Sequence, residues 1–249
     1  MKPEHETKHP SYAVLWRRIL AVFCIVLFGI LLGVVLTEST EGFDDPIRLA
    51  FYWIRSADLT QAVITLTNTA NKYTLISFCI ILLILPWTRM KFGIPLSAGA
   101  LGTTILNHII KELVERPRPI AEHLVTEGGF SFPSEHATSS MFFYGMAIWL
   151  VWHYVSREDE TADCVEPPAA EHPPTHLLSN RPLPVYHKGT AVLLTILLLI
   201  PLLLVGPTRI YLGVHFPTDV LAGWCLGGFG ILLEVEIIEA LERRKARQA

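Results

Sequence analysis

Charge is scarce in this chain and unevenly spread. Asp, Glu, Lys and Arg make up 17% of the 249 residues, and they leave several apolar runs of near-membrane-span length almost untouched. A soluble domain would interrupt such runs with charge, so the pattern implies a polytopic membrane protein. Neither sign dominates: 20 basic and 23 acidic residues give a formal net charge of −3, and no nucleic-acid partner is expected. Cysteine is also rare. Cys24, Cys79, Cys164 and Cys225 form no Cys-x-x-Cys pair, which argues against a zinc site and against a disulfide framework. Cys24, Cys79 and Cys225 fall in apolar runs and read as small buried hydrophobes. Two further features are missing, a Gly-rich phosphate loop and a carboxylate-rich metal cluster. The expected chemistry is therefore free of metal and of any cofactor.

What is present is a series of apolar runs. They cover residues 19–36, 73–87, 94–110, 137–155, 190–205 and 220–235. The expected fold is all-α, a bundle of six transmembrane helices. Residues 1–18 form a cytoplasmic N-terminal segment, 19–236 the six-span domain, and 237–249 a cytoplasmic basic tail with an i,i+4 pair of Glu239 and Arg243. No small-residue cleavage pattern is clear near Thr37, so the first run reads as an uncleaved helix. Ile47, Phe51 and Ile54 recur at helical spacing, which predicts an interfacial helix. The second run is short for a crossing. Extended back to Leu59 it places Thr65, Asn68 and Lys72 on one face, looking into the bundle or a wet cavity. Asn107 and His108 read as helix–helix hydrogen-bonding groups. Gly206-Pro207 is expected to stop the fifth span. Gly223, Gly227, Gly228 and Gly230 permit close packing of the sixth. Residues 156–188 are polar and proline-rich and read as a mobile cytoplasmic loop, with His172, His176 and His187 solvated.

The basic residues orient the bundle. Arg17, Arg18, Arg89, Lys91, Arg157, Arg181, Lys188 and Arg243 all fall in segments that share one side of a six-span chain. That bias places both termini in the cytoplasm. The polar loops at residues 112–136 and 207–218 then meet on the opposite face.

These loops carry the residues with chemistry in them. In Thr208–Asp219, Arg209 offers a permanent cation with a forked donor set suited to phosphate oxygens. His215 can attack or carry a proton near neutral pH. If Pro217 opens a helix, Asp219 meets His215 across its first turn and fixes the imidazole. Lys111 and Arg118 lie in the first loop, followed by Pro133, Ser134, Glu135 and His136. Together the three stretches resemble the signature of the type 2 phosphatidic acid phosphatase superfamily. Lys111, Arg118 and Pro119 match its first motif. Pro133, Ser134 and His136 match the second, with Glu135 where Gly is usual. Arg209, His215 and Asp219 match the third, with Thr208 in place of Ser. The resemblance covers about residues 43–233.

The resemblance implies an integral membrane phosphatase. His215 is the nucleophile that forms a phosphohistidine, Asp219 orients it, and His136 is the acid that becomes the base. Lys111, Arg118, Arg209 and Ser134 bind the substrate phosphate, with Glu135 beside them. The expected substrates are lipid phosphates or diphosphates of the undecaprenyl diphosphate, phosphatidylglycerol phosphate or phosphatidic acid type. The acidic Glu135 resembles the second motif of some undecaprenyl diphosphate phosphatases and leans the choice toward a diphosphate. A lipid phosphotransferase with the same site is the alternative, and a non-catalytic lipid-binding or transport protein a further one. Location in a bacterial inner membrane is expected, with membrane lipids as further partners and the site facing the periplasm or exterior.

Overall fold

A computed structural model of the protein describes residues 12–120, 122–162 and 188–248, with the side chains of 155–162 left aside. Cys164 and the loop histidines His172, His176 and His187 lie outside the described residues. Among those described, the structure is helical throughout, without strands. The order is α1 (Tyr12–Leu36), α2 (Glu41–Trp53), α3 (Ala57–Asn68), α4 (Lys72–Ile84), the single turn α5 (Pro86–Thr88) with a π turn over Arg89–Gly93, α6 (Ile94–Val114), α7 (Glu135–Ala162), α8 (Lys188–Tyr211) and α9 (Pro217–Gln248).

Three helices, α1, α8 and α9, are long and apolar enough to cross a membrane. A fourth crossing results if α4 and the segment Pro86–Val114, bent by 97° from one another, count as one span. On α1 only Cys24, Leu31 and Val35 are buried, and they rest against α9. The rest of its apolar surface faces outward, the expected arrangement for a helix solvated by lipid. Helix α7 falls short of that apolar standard and occupies the middle of the bundle, packed along α6, α8 and α9. It carries the largest core cluster, including Phe142, Phe143, Met146 and Leu150.

The close approach of α7 and α9 depends on two glycines four residues apart. A Cβ added at Gly223 would stand 2.7 Å from the Ser134 carbonyl oxygen, and one at Gly227 would stand 2.5 Å from that of Thr138. Small residues at this spacing let two backbones touch. At the far end, Arg17 of α1 holds Glu239 of α9 in a two-pronged contact of 2.5 and 2.8 Å. Glu239 also takes the anticipated i,i+4 bond from Arg243 at 3.3 Å, but here in a helix that runs on past residue 236.

Two local expectations are corrected. Helix α8 does not stop at Gly206-Pro207 but passes through both. A proline is tolerated inside a buried apolar helix when neighbours cover the freed carbonyl. Gly206 serves packing instead, since a Cβ there would meet Val220 at 2.7 Å. The actual stop is Gly213, with φ of +81°. Val214 N bonds to Arg209 O and Gly213 N to Ile210 O, the paired 6→1 and 5→2 bonds of a Schellman end. Likewise α3 and α4 are separate helices. Asn71 caps α4, its side chain accepting from Tyr73 N, so Thr65, Asn68 and Lys72 do not share one helical face.

Candidate active site

The site forms where α6 and α8 end and α7 and α9 begin. At the head of α9, Pro217 takes the first helical position, as its fixed φ favours. Asp219, two residues on, accepts a bond from Phe216 N at 2.8 Å. This is the carboxylate half of a capping box. Asp219 is fully buried, and the helix N-terminus stabilises its charge. Asp219 Oδ2 also accepts from Ser131 Oγ and stands 3.4 Å from His215 Nδ1. With a carboxylate on that side, the Nδ1 atom carries the proton and Nε2 keeps its lone pair. Arg118 Nη1 donates to this lone pair at 3.2 Å.

His215 is 2% exposed, in the connector between α8 and α9. Burial pushes its pKa down to about 3; the hydrogen bond and charge of Asp219 oppose the shift, and Lys111 and Arg118 add to it. The imidazole is therefore neutral at pH 7, the form that can attack phosphorus. Burial also lowers Arg118, with Glu127, Asp219 and Glu135 pulling the other way. Its guanidinium remains a cation.

Each cation expected to hold phosphate is present. Lys111 reaches from the last turn of α6 to Phe130 O at 2.7 Å. Arg118 donates to Gly128 O at 2.8 Å, Gly129 O at 3.2 Å and Val214 O at 2.8 Å. Gly128 and Gly129 thus act through their carbonyls, as anchors for Arg118. Arg209, 1% exposed, donates to Thr67 Oγ1 at 3.2 Å and to Glu127 Oε1. Ser134 Oγ is buried and has no hydrogen-bond partner among the described residues, as a donor kept for a ligand oxygen would be.

His136 and Glu135 open α7 and line a cavity of about 590 Å³ together with Arg209, Glu127, Asn68 and Lys72. From there the cavity continues over Leu75, Ile76, Ile80 and Leu83 of α4 and Ala100 and Leu101 of α6. The Glu135 carboxylate makes no hydrogen bond or ion pair with another described residue. It sits in the first turn of α7, where the helix dipole favours its charge. The nearby guanidinium of Arg116 is not its partner, because Arg116 bonds Asp219 and Asp44. Of the groups expected to hydrogen-bond between helices, Asn107 does so, donating to Thr138 Oγ1 at 2.9 Å, whereas His108 is exposed. Four residues at the site had no sequence signal of their own: Glu127, Asp44, Ser131 and Thr67.

Comparison with known proteins follows the same lines. Residues 92–243 match the PAP2 superfamily. The chain is 31% identical over 212 residues to phosphatidylglycerophosphatase B of Bacillus subtilis (strain 168), covering 83% of this chain and 88% of that protein. It is 25% identical over 220 residues to an undecaprenyl-diphosphatase of Sulfolobus acidocaldarius, covering 85% and 86%. Among solved structures, a transmembrane PAP2-type phosphatidylglycerolphosphate phosphatase from Bacillus subtilis aligns with a TM-score of 0.70 at 24% identity, over 88% of this chain and 96% of that one. LpxE of Aquifex aeolicus aligns with a TM-score of 0.54 at 19% identity, over 78% and 94%.

Proposed function

The chain belongs to the PAP2 superfamily and is a membrane lipid phosphatase, and from that premise we propose that it works through a phosphohistidine on His215. The observation that carries this reading is the placing of that imidazole: buried, with Nδ1 turned to Asp219 and Nε2 turned toward Arg118. In the first step Nε2 bonds phosphorus as the bond to the leaving oxygen breaks, the lipid alcohol's in a monoester or the lipid phosphate's in a diphosphate, and His136, protonated once the anionic substrate is bound, gives that oxygen its proton. In the second, His136 takes a proton from water, whose oxygen displaces the imidazole and releases inorganic phosphate. Lys111, Arg118, Arg209 and Ser134 hold the phosphoryl oxygens, and their charge is aimed at where negative charge gathers.

The substrate is the phosphomonoester or diphosphate of a long-chain lipid, of the phosphatidylglycerol phosphate, undecaprenyl diphosphate or phosphatidic acid type. Support comes from the cavity, which joins cations at one end to aliphatic side chains of α4 and α6 at the other. The bundle is read as six crossings with both termini cytoplasmic and the site on the opposite face. Asp219 and Glu239 are 20 residues apart on α9, about 30 Å along its axis, the thickness of a bilayer core. Phosphate release in detergent from the three lipid types tests the reading. Turnover is expected on at least one of them and is lost by more than about a thousandfold in His215→Ala. Substantial turnover by that variant, folded and inserted, refutes the assignment. Recovery of a newly phosphorylated lipid would mark the transfer reaction instead.

A further inference from the structure

Arg116 stands two residues before Arg118 in Arg116-Pro117-Arg118-Pro119, outside the matched motif positions. Its guanidinium is nevertheless committed to the dyad. Nη1 donates to Asp219 Oδ1 at 2.6 Å and Thr218 Oγ1 at 2.7 Å. Nη2 donates to Asp44 Oδ2 at 2.8 Å and Thr40 Oγ1 at 2.8 Å. The group lies over the Phe216 ring, 3.9 Å from its centre. All four terminal N–H bonds are therefore in use, and none is left to meet a substrate oxygen.

Asp44 is 1% exposed and comes from α2, 174 residues before Thr218. Its Oδ1 accepts from Thr218 N at 2.9 Å and its Oδ2 from Thr218 Oγ1 at 2.9 Å. It thus caps α9 from another helix while holding Arg116 from behind. A buried carboxylate and guanidinium placed this way are retained at a desolvation cost, so the arrangement calls for a role.

We propose that Arg116, braced by Asp44, is a positioning residue that locks the Asp219 carboxylate and through it the orientation of His215. The inference rests on the reading of His215 as nucleophile. Asp219 must keep Oδ2 toward Nδ1, and a carboxylate gripped at only one oxygen can rotate about its Cβ–Cγ bond. Arg116 holds the other oxygen. The dyad is then bracketed by two guanidinia two residues apart in one loop, Arg118 on the imidazole and Arg116 on the carboxylate.

The test compares the full-length protein in detergent with Arg116→Gln, Arg116→Lys, Asp44→Asn and the Arg116→Gln/Asp44→Asn double variant, with His215→Ala in parallel. Arg116→Gln is expected to lower kcat by about 30-fold or more, while KM and the Ki of inorganic phosphate stay within about threefold. Arg116→Lys is expected not to rescue, because one ammonium cannot hold two carboxylates in a fork. Asp44→Asn gives a smaller loss in kcat, and the double variant is no slower than Arg116→Gln by more than about twofold. An unchanged kcat in Arg116→Gln overturns the proposal. So do a parallel rise in KM and Ki, full rescue by Lys, or losses that multiply in the double variant. If every variant, Asp44→Asn included, fails to reach a monodisperse state, the group is scaffold only and the proposal falls as well. An active His215→Ala would instead sink the nucleophile assignment, which separates the two failures.

Discussion

Glu127 holds the place of a substrate anion, and replacing it by Gln should tighten phosphate binding. Its carboxylate bonds Arg209 Nη2 and lies 4.0 Å from Arg118 Nη2, with its side chain about a quarter exposed. A phosphate that engages both guanidinia must displace it. The charge of a part-exposed ion-pair partner contributes about 1 kcal/mol or less. Gln keeps an acceptor for Arg209 but not the charge, so the substrate has about 1 kcal/mol less to displace. The expected effect is a fall of about fivefold in the Ki of inorganic phosphate as a competitive inhibitor. Without ligand, Glu127→Gln leaves the buried Arg209 short of a counter-charge, so Tm drops; added phosphate restores it further than in the parent. The measurements are Ki from initial rates and Tm with and without phosphate. A Ki that is unchanged or weaker would show that Glu127 supports substrate binding and does not compete with it.

Three further outcomes are expected. Lys72 begins α4, near the unfavourable positive end of that helix, and lines the cavity beside Asn68; Lys72→Met should raise KM for a lipid substrate more than for a small soluble phosphate ester, and equal effects would assign the side chain to the interface alone. Glu135 lines the same cavity, so Glu135→Gly should change the ratio of kcat/KM for diphosphate over monophosphate lipids by at least about threefold, with an unchanged ratio excluding a part in selection. Glu122 and Thr126 are exposed, and cysteines placed there should react with a membrane-impermeant thiol reagent in intact cells; reaction only after lysis would reverse the orientation.

The third motif was legible because its geometry is local. Arg209, His215 and Asp219 fall within 11 residues, and the Schellman end at Gly213 and the helix start at Pro217 set the backbone between them. The cations Lys111 and Arg118 were legible through the resemblance of their spacing to the family's first motif. The parts that could not be read act across the chain. Asp44 reaches Thr218 over 174 residues, and Glu127 reaches Arg209 over 82; neither belongs to a periodic pattern or a turn signature. Arg116 left one trace, a second guanidinium beside the one in the motif, but its partner could not be named from sequence. The helix ends went wrong where residue type was taken without its surroundings. Pro207 looks like a stop, yet α8 continues because Gly206 is needed flat against α9. Residues 65–72 look like one helix, yet Asn71 prefers to cap a new one.

The shape of the cavity bears on how rates must be expressed. A lipid phosphate meets cations with one end and aliphatic side chains of α4 and α6 with the other, so it is never wholly in water before it binds. The quantity that sets occupancy is then the fraction of amphiphiles around the protein that are substrate, and moles per litre of solution have little bearing. Adding inert detergent at fixed substrate molarity should slow the reaction as surely as removing substrate, whereas diluting substrate and detergent together should leave the turnover number nearly unchanged.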